Sequence, residues 1–294
     1  MPRFFKLIAV LVLALAAPLH ADDGELVIAA YNAENMFDVF DNPYTDDEGT
    51  DVKPRGEIED IAAALRGIDA DVVAFCEVEN QGILQALVNE FLGDMGYHHV
   101  AVTPTNDGRG INLGVISRYP IDSVTSYRFR ELTLPGDDRA WRFARDLMHT
   151  RLALPGDRTL DLFSVHFKSK RDSAGDPNSA TWRLAEATAA ADIIQNVMTH
   201  HPDRWIAMVG DFNDTPGSPP LDALTGVGLI DAHASLPDAQ RITYLREPYR
   251  STIDYILVNR PMRSAMTDAT VPSDPDLLAG SDHAPVVATF RLPE

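Results

Sequence analysis

Short apolar runs of strand length recur along the chain, and turn residues separate them. Residues 26–31 form a continuous apolar run that ends at polar Asn32, which is typical of a strand covered on both faces. Residues 72–75 repeat this pattern just before Cys76 and Glu77. Further strands are predicted over residues 97–102, 113–117, 124–129, 143–154, 160–167, 205–209, 253–258 and 285–290. The middle third of the chain is therefore predicted to be mostly sheet.

Apolar residues at spacings of three and four predict helices between some of these strands. One helix is centred on residues 58–65 and ends at Gly67, and another spans residues 81–92. A third begins near Asp176 and Pro177, which suit an N-cap and a first helical position. Its apolar stripe consists of Ala180, Leu184, Ala187, Ala191, Ile194 and Met198. Strands that alternate with amphipathic helices indicate an α/β fold.

The first residues have the pattern of a secretory signal peptide. A basic start precedes the apolar run at residues 7–17, which is too short to span a bilayer, and the small residue Ala21 follows. We expect residues 1–21 to be removed and residues 22–294 to form one domain, secreted or periplasmic and without integral membrane association. An uncleaved anchor or a buried first helix is the alternative.

Composition and charge restrict how the chain can bind a ligand. The 294 residues are 45% hydrophobic, enough for a large core, which excludes a disordered tail. The formal net charge is −19, so any bound phosphate must be held by local basic residues rather than by a protein-wide positive field. A single cysteine, Cys76, excludes an intramolecular disulfide, and its apolar surroundings predict a core residue rather than a reactive thiol.

The strand at residues 205–209 runs directly into Gly210, Asp211, Phe212 and Asn213. Carboxylate and amide groups at the end of a strand can direct oxygen atoms and an NH₂ group into one pocket, as a divalent cation and a phosphate oxygen require. Alternatively, the same residues form a turn in which Asp and Asn satisfy the loop backbone.

Two further motifs combine a carboxylate with a potential partner. In the adjacent pair Asp282 and His283, the acid could bind a metal while the imidazole contacts a phosphate or its attacking water. A surface turn with a capping Asp is the alternative. Asp254 interrupts an apolar strand, and because a lone buried carboxylate is costly, it implies a partner such as a histidine.

Polar residues also end strands in the first two thirds of the chain. Asn32, Glu77 and His166 each follow an apolar run, and ligands collect at the carboxyl ends of strands in α/β sheets. Lys168 and Lys170 follow His166 and could bind phosphate. Ordinary strand ends and a solvated basic loop are the respective alternatives.

Taken in order, these motifs resemble the endonuclease/exonuclease/phosphatase superfamily, the DNase I-like metal-dependent phosphoesterases. The resemblance spans residues 26–292. The matching residues are Tyr31-Asn32-Ala33-Glu34-Asn35-Met36-Phe37, Glu77, Asn112, Val165-His166, Gly210-Asp211-Phe212-Asn213, Ile253-Asp254-Tyr255 and Ser281-Asp282-His283-Ala284-Pro285.

This resemblance implies a four-layered α/β sandwich, with two mixed β-sheets packed face to face and helices outside. It also implies a site at one end of the sheets. By similarity, Glu77 would bind Mg²⁺, or Mn²⁺ or Ca²⁺, with Asn32 and Asp282 close by. Asp211 and Asn213 would orient or deprotonate the attacking water and hold the scissile phosphate.

The remaining implied roles concern the phosphate. His283, paired with Asp254, would contact a non-bridging oxygen or transfer a proton, and His166 would be a second phosphate-facing histidine. Arg145, on a middle strand, would bind phosphate, and Asn112 would contact substrate.

We therefore expect an exported phosphoester hydrolase, a nuclease-type phosphodiesterase that uses an activated water on a phosphodiester such as nucleic acid. No obligate protein partner is expected. A basic groove is predicted from Lys168, Lys170, Arg171 and Arg183. The alternatives are an enzyme acting on inositol phosphates or sphingomyelin-type lipids, and a catalytically silent binding module.

Other catalytic classes fit the sequence less well. It has no Gly-x-Ser-x-Gly motif for a serine nucleophile and no His-Glu-x-x-His motif for a zinc protease. The acidic residues of the loop at 38–56 are expected either to be solvated or to bind structural Ca²⁺. They are Asp41, Asp46, Asp47, Glu48 and Asp51.

Overall fold

Fourteen strands and five α-helices make up the computed structural model, which describes residues 24–173 and 175–292. The predicted signal peptide lies outside the described residues. In chain order, the strands are β1 (Glu25–Met36), β2 (Val72–Val78), β3 (His99–Thr103), β4 (Asn112–Ser117), β5 (Ile121–Ser126), β6 (Leu132–Leu134), β7 (Asp137–Trp141), β8 (Leu147–Leu154), β9 (Arg158–His166), β10 (Trp205–Asp211), β11 (Ile230–Asp231), β12 (Asp254–Val258), β13 (Met266–Thr270) and β14 (Val286–Arg291). The helices are α1 (Arg55–Ile68), α2 (Gln81–Phe91), α3 (Ala180–His200), α4 (Pro219–Gly226) and α5 (Arg260–Ala265).

Two six-stranded sheets form the centre of the molecule. The first has the order β13-β14-β1-β2-β4-β3 and the second the order β11-β12-β10-β9-β8-β5, while β6 and β7 form a separate hairpin. Both large sheets are mixed, because β1 pairs in parallel with β2 and β9 pairs in parallel with β10, while their other neighbours are antiparallel. Each sheet therefore has one central parallel pair whose carboxyl ends lie side by side.

Three apolar clusters divide the molecule into four layers. The central cluster joins the inner faces of the two sheets, for example Ile28 and Val115 of the first with Leu162 and Val209 of the second. A second cluster packs α1 and α2 on the outer face of the first sheet. A third packs α3 and α4 on the outer face of the second sheet. The predicted four-layered sandwich is confirmed.

The ends of two helices differ from the predicted ends. Gly67 lies within α1, which continues to Ile68 and is followed by Asp69, a C-cap residue in the left-handed conformation. The last predicted helix begins at Ala180, after a short 3₁₀ turn, rather than at Pro177. Asp176 nevertheless caps it from a distance, because its carboxylate accepts the backbone N–H groups of Thr181 and Trp182.

The strand predicted over residues 143–154 begins only at Leu147. Arg145 therefore lies in the turn before β8 and not on a middle strand. Cys76 is buried within the inter-sheet core, as predicted, and burial raises the pKa of its thiol well above the ordinary value. Within residues 24–173 and 175–292, no helix has the length and apolar character that crossing a membrane requires.

Candidate active site

Strand register places three polar side chains next to one another at the end of the second sheet. Asp211, the last residue of β10, pairs with His166 of β9 on one side and Asp254 of β12 on the other. Gly210 makes this register possible, because a Cβ atom there would lie 2.1 Å from the carbonyl oxygen of Val165. The glycine of the Gly-Asp-Phe-Asn motif thus allows β10 to approach β9 closely.

The first sheet brings its polar residues to the same end of the molecule. Asn32 of β1 pairs with Cys76, which directly precedes Glu77 on β2. Ser281 then links β1 to the segment before β14, because its hydroxyl donates to the Asn32 carbonyl oxygen at 2.7 Å and accepts the His283 N–H at 3.1 Å. Glu77, His166, Asp211 and His283 consequently line one cleft of about 630 Å³.

His283 and Asp254 form a buried hydrogen-bonded pair, with Nδ1 2.8 Å from Oδ2. Burial alone lowers the pKa of His283, but the carboxylates of Asp254, Asp211 and Asp282 outweigh it and raise the pKa to about 10. The imidazole is therefore a cation near neutral pH, and both of its nitrogens are donors. Since Nδ1 serves Asp254, the Nε2–H can donate to a ligand. The sequence predicted a partner such as a histidine for the buried Asp254, and in the structure this partner is His283.

Asp211 lies at the centre of the buried polar groups. Its Oδ2 accepts from the Asn32 amide at 3.2 Å and lies 3.5 Å from His166 Nε2. Burial, followed by the nearby charge of Asp254, raises the pKa of Asp211 to about 7. Burial and the Arg145 guanidinium hold the pKa of His166 well below its usual range, so this imidazole is neutral. A carboxylate that titrates near neutrality is suited to act as a general base.

Carboxylate oxygens around the cleft form a set of donors that fits a hard divalent cation. Glu77 Oε2 accepts the Asn35 N–H at 3.0 Å, and Oε1 lies 3.9 Å from His166 Nε2. Asp282 lines the same cleft, and burial raises the pKa of its carboxyl. Asp211, Asp254 and His283 also bring two carboxylate oxygens and a ring nitrogen within 4.8 Å of one another, but a cationic imidazole has no lone pair for a metal. The Asn32 oxygen accepts the Glu34 N–H, so its amide NH₂ faces Asp211.

Backbone strain is concentrated at this cleft. Among the described residues, eight non-glycine residues have positive φ, and four of them line the cleft. These four are Glu34, Asn35, Glu77 and Asn213. Such conformations cost about 1–3 kcal/mol each and persist where the surrounding structure holds them, most often at functional sites. The strain therefore indicates function independently of side-chain chemistry.

Basic side chains line the cleft, although the protein is strongly acidic. Arg145 pairs with Asp107 at 3.1 Å and donates to the Phe167 carbonyl oxygen, while Lys170 pairs with Asp214 at 3.1 Å. An aromatic ring, Tyr249, is 72% exposed at the opening. The other basic residues that line the cleft are Arg109, Arg171, Arg246 and Arg250.

Three residues that the sequence associated with substrate do not line the cleft. Asn112 uses its side chain to accept the Thr105 N–H and donate to the Glu79 carbonyl oxygen. Lys168 Nζ lies 5.8 Å from the centre of the Trp182 ring. Arg183 is buried and forms an ion pair with Asp214. The expectation that it contributes to a basic groove is therefore wrong, because a buried guanidinium cannot contact a polyanion.

Other cleft residues were not predicted. Glu34 belongs to the first motif, but its ion pair with Arg246 depends on a loop that shows no periodicity. Arg246 also binds Asp282 at 2.8 Å, and the Tyr244 ring lies 5.1 Å from the His283 ring. Of these cleft residues, only Glu34 could have been predicted from the sequence, because it lies inside the first motif.

Several known structures have a similar fold. The human Nocturnin catalytic domain, with a bound sulfate anion, matches with a TM-score of 0.65 and 16% identity, over 92% of this chain and 95% of that one. D. rerio TDP2 complexed with a single-strand DNA product matches with a TM-score of 0.60 and 15% identity, over 91% and 99%. An endonuclease/exonuclease/phosphatase from Beutenbergia cavernae DSM 12333 matches with a TM-score of 0.62 and 20% identity, over 91% and 72%.

No curated protein sequence matches this chain. The endonuclease/exonuclease/phosphatase family model, by contrast, matches residues 27–228, which is more than half of the chain. These residues include Asn32, Glu77, His166, Asp211 and Asn213. The chain belongs to the endonuclease/exonuclease/phosphatase family, whose nucleases and phosphatases hydrolyse phosphoester bonds.

Proposed function

We propose that this protein is an exported, divalent-metal-dependent phosphodiesterase that cleaves nucleic acid with an activated water. The observation that carries this proposal is that the Asp211 carboxylate and the His283 imidazole, which is hydrogen-bonded to Asp254, lie within 4.8 Å of each other in one cleft. Burial and the charge of Asp254 raise the pKa of Asp211 to about 7, whereas the surrounding carboxylates outweigh burial and raise the pKa of His283 to about 10. Hydrolysis of a phosphodiester requires both a base for the attacking water and positive charge on the phosphate oxygens.

Glu77 and Asp282 are the proposed holders of the cation, and Asn32 orients Asp211 through its amide. A bound Mg²⁺ or Mn²⁺ would neutralise charge on the phosphate and lower the pKa of a water. Glu77 and Asp211 lie at or next to the carboxyl ends of β2 and β10, so their positions are set before any ligand binds.

Asp211 would accept the proton of the attacking water, because its anion becomes available near neutral pH. His283 Nε2–H would donate to a non-bridging phosphate oxygen, while Asp254 holds the imidazolium in place. His166, neutral and buried, would contact a second oxygen. Asn213 lines the cleft, and its amide NH₂ donates to the Phe167 carbonyl oxygen at 3.0 Å, which fixes the side chain for phosphate binding.

The opening of the cleft supports a polyanionic substrate. Its exposed arginines give local positive charge in a protein whose net charge is −19. Tyr249 offers an exposed ring on which a base could stack. The TDP2 structure of similar fold, which contains a single-strand DNA product, also supports this substrate class. Export is proposed from the sequence of residues 1–21 alone.

A substrate screen tests the proposal. The purified protein would be incubated with Mg²⁺, Mn²⁺ or Ca²⁺ and offered plasmid DNA, single-stranded DNA, RNA, bis-p-nitrophenyl phosphate, inositol phosphates and sphingomyelin vesicles. We expect cleavage of the nucleic acids and of the diester, with none by His283→Ala. Cleavage of lipid or inositol phosphate without nucleic acid would overturn the nuclease assignment, and turnover of no substrate would favour a binding module.

Export is tested separately, by expressing the full chain in a bacterial host and sequencing the N-terminus of the protein found outside the cytoplasm. The predicted new N-terminus is Asp22. Full-length protein retained in the cytoplasm would contradict export without affecting the proposed activity.

A further inference from the structure

Three carboxylates come together in the acidic loop, the segment of residues 38–54 between β1 and α1. Asp41, Asp47 and Glu48 each offer a carboxylate oxygen, and these atoms all lie within 4.8 Å of one another. Asp41 and Glu48 are exposed, whereas Asp47 is buried. None of the three lines the cleft described above.

Asp47 is the residue that requires an explanation. Asp47 is only 8% exposed. Its Oδ1 atom is buried and has no hydrogen-bond partner among the described residues. Within the described part of the chain, none of the three carboxylates forms an ion pair with a basic side chain. An unpaired carboxylate oxygen that is removed from water costs several kcal/mol, and two neighbouring acids increase this cost by repulsion.

A bound cation would offset both costs. Oxygen ligands lie roughly 2.3–2.6 Å from Ca²⁺, so two oxygens on one ion can be at most about 5 Å apart. The observed limit of 4.8 Å satisfies this condition without rearrangement of the loop. Ca²⁺ also accepts irregular sets of carboxylate, carbonyl and water oxygens, whereas Mg²⁺ demands octahedral geometry. We propose that Asp41, Asp47 and Glu48 bind a structural Ca²⁺ ion, separate from the cation of the cleft.

The acidic loop is joined to one wall of the cleft. The Asp46 N–H donates to the Gly108 carbonyl oxygen at 2.7 Å, and a Cβ atom on Gly110 would lie only 3.0 Å from the Thr45 methyl group. The neighbouring Arg109 donates to the Asn35 side chain at 3.1 Å and lines the cleft. Ca²⁺ at the loop would therefore stabilise the segment that carries Arg109.

The test measures Ca²⁺ binding by isothermal titration calorimetry and the melting temperature in EDTA and in Ca²⁺. Four proteins are compared: wild type, Asp47→Asn, Asp51→Asn and Glu77→Gln. Asp51 is an exposed acid of the same loop outside the carboxylate group, so Asp51→Asn is the matched control. Glu77→Gln disables the proposed cation site of the cleft and leaves the loop intact.

We expect Ca²⁺ to bind to wild type, Asp51→Asn and Glu77→Gln and to raise their melting temperatures by at least about 3 °C. Asp47→Asn should lose this shift and bind Ca²⁺ at the loop at least tenfold more weakly. In EDTA, Asp47→Asn should melt no lower than wild type, because the substitution removes a buried unpaired charge. Equal Ca²⁺ responses of Asp47→Asn and Asp51→Asn, or no Ca²⁺ response in Glu77→Gln, would overturn the proposal. Neither result bears on phosphodiester cleavage.

Discussion

The floor and the rim of the cleft are built in opposite ways. The floor consists of His166, Asp211 and His283, which line the cleft, together with Asn32 and Asp254, which are hydrogen-bonded to Asp211 and His283; all are buried and lie on strands or just before one. The rim consists of Arg109, Lys170, Arg171, Arg246, Tyr249 and Arg250, all in loops. Strand register fixes floor side chains relative to one another, whereas loop side chains can adjust to what binds.

This difference separates two tasks. The pKa values of Asp211, His166 and His283 lie far from the ordinary ones, because burial and the neighbouring charges act on these groups away from water. Rim groups remain in contact with water, where each charge contributes little and is screened by salt. We therefore expect floor substitutions to change kcat and rim substitutions to change KM.

The largest effect is expected from removing a floor group that contacts the reacting atoms. His283→Ala and Asp211→Ala should each lower kcat by about 1000-fold or more, since each removes acid–base or charge stabilisation in the transition state. KM should change little, and the circular dichroism spectrum should remain that of the wild type. Activity within tenfold of wild type in either variant would contradict the assigned roles.

A smaller loss is expected for Asp254→Asn, because Asp254 acts through His283. The substitution should lower kcat roughly 100-fold. Since the Asp254 carboxylate raises the pKa of His283, its loss should lower that pKa, which can be followed by NMR titration of the imidazole. An unchanged His283 pKa in Asp254→Asn would show that the pair does not control the charge of the imidazole.

The pH dependence of kcat/KM should have two limbs. The base form of Asp211 is its anion, so the rate should rise about tenfold per pH unit up to a limit near pH 7, and a bound cation would move that limit lower. The rate should fall above about pH 10, where His283 loses its proton. A rate independent of pH between 4 and 11 in stable protein would refute both assignments.

The smallest effects are expected at the rim. Arg250→Ala and Arg171→Ala should each raise KM for single-stranded DNA by several fold to tenfold at unchanged kcat. Each should also reduce the slope of the logarithm of the binding constant against the logarithm of salt concentration by about one. Arg260→Ala is the matched control, because Arg260 is an exposed arginine that follows β12 at its far end from the cleft. Equal effects of Arg250→Ala and Arg260→Ala would mean that the rim does not bind the substrate.

The floor was largely predictable from the sequence because it combines two strong signals. Asp211, Asp254 and His166 each interrupt or end an apolar strand, and polar residues in such places need a partner. The topology of the two sheets then brings them together. Burial of Asp254 and its pairing with a histidine followed from this argument alone.

The rim could not be predicted, because its residues lie in segments without periodicity. In the loop that carries Arg246 and Arg250, apolar residues neither alternate with polar ones nor recur at helical spacing. The side chains that face the cleft therefore cannot be identified from the sequence. Arg183 is the opposite case, because the sequence predicted it in a basic groove and the structure buries it. It lies in α3 near the basic loop, but its place on the buried side of the helix turns it toward Asp214.

Our account requires that the floor, together with the neighbouring Glu77 carboxylate, bring a cation and a phosphoryl group together. The most direct measurement is kcat for bis-p-nitrophenyl phosphate after EDTA treatment and during titration with Mg²⁺ or Mn²⁺, for wild type and Glu77→Gln. We predict no turnover in EDTA, full recovery of the wild type on metal addition, and a requirement for at least tenfold more metal in Glu77→Gln. Undiminished turnover in EDTA, or identical metal titrations of the two proteins, would contradict the claim.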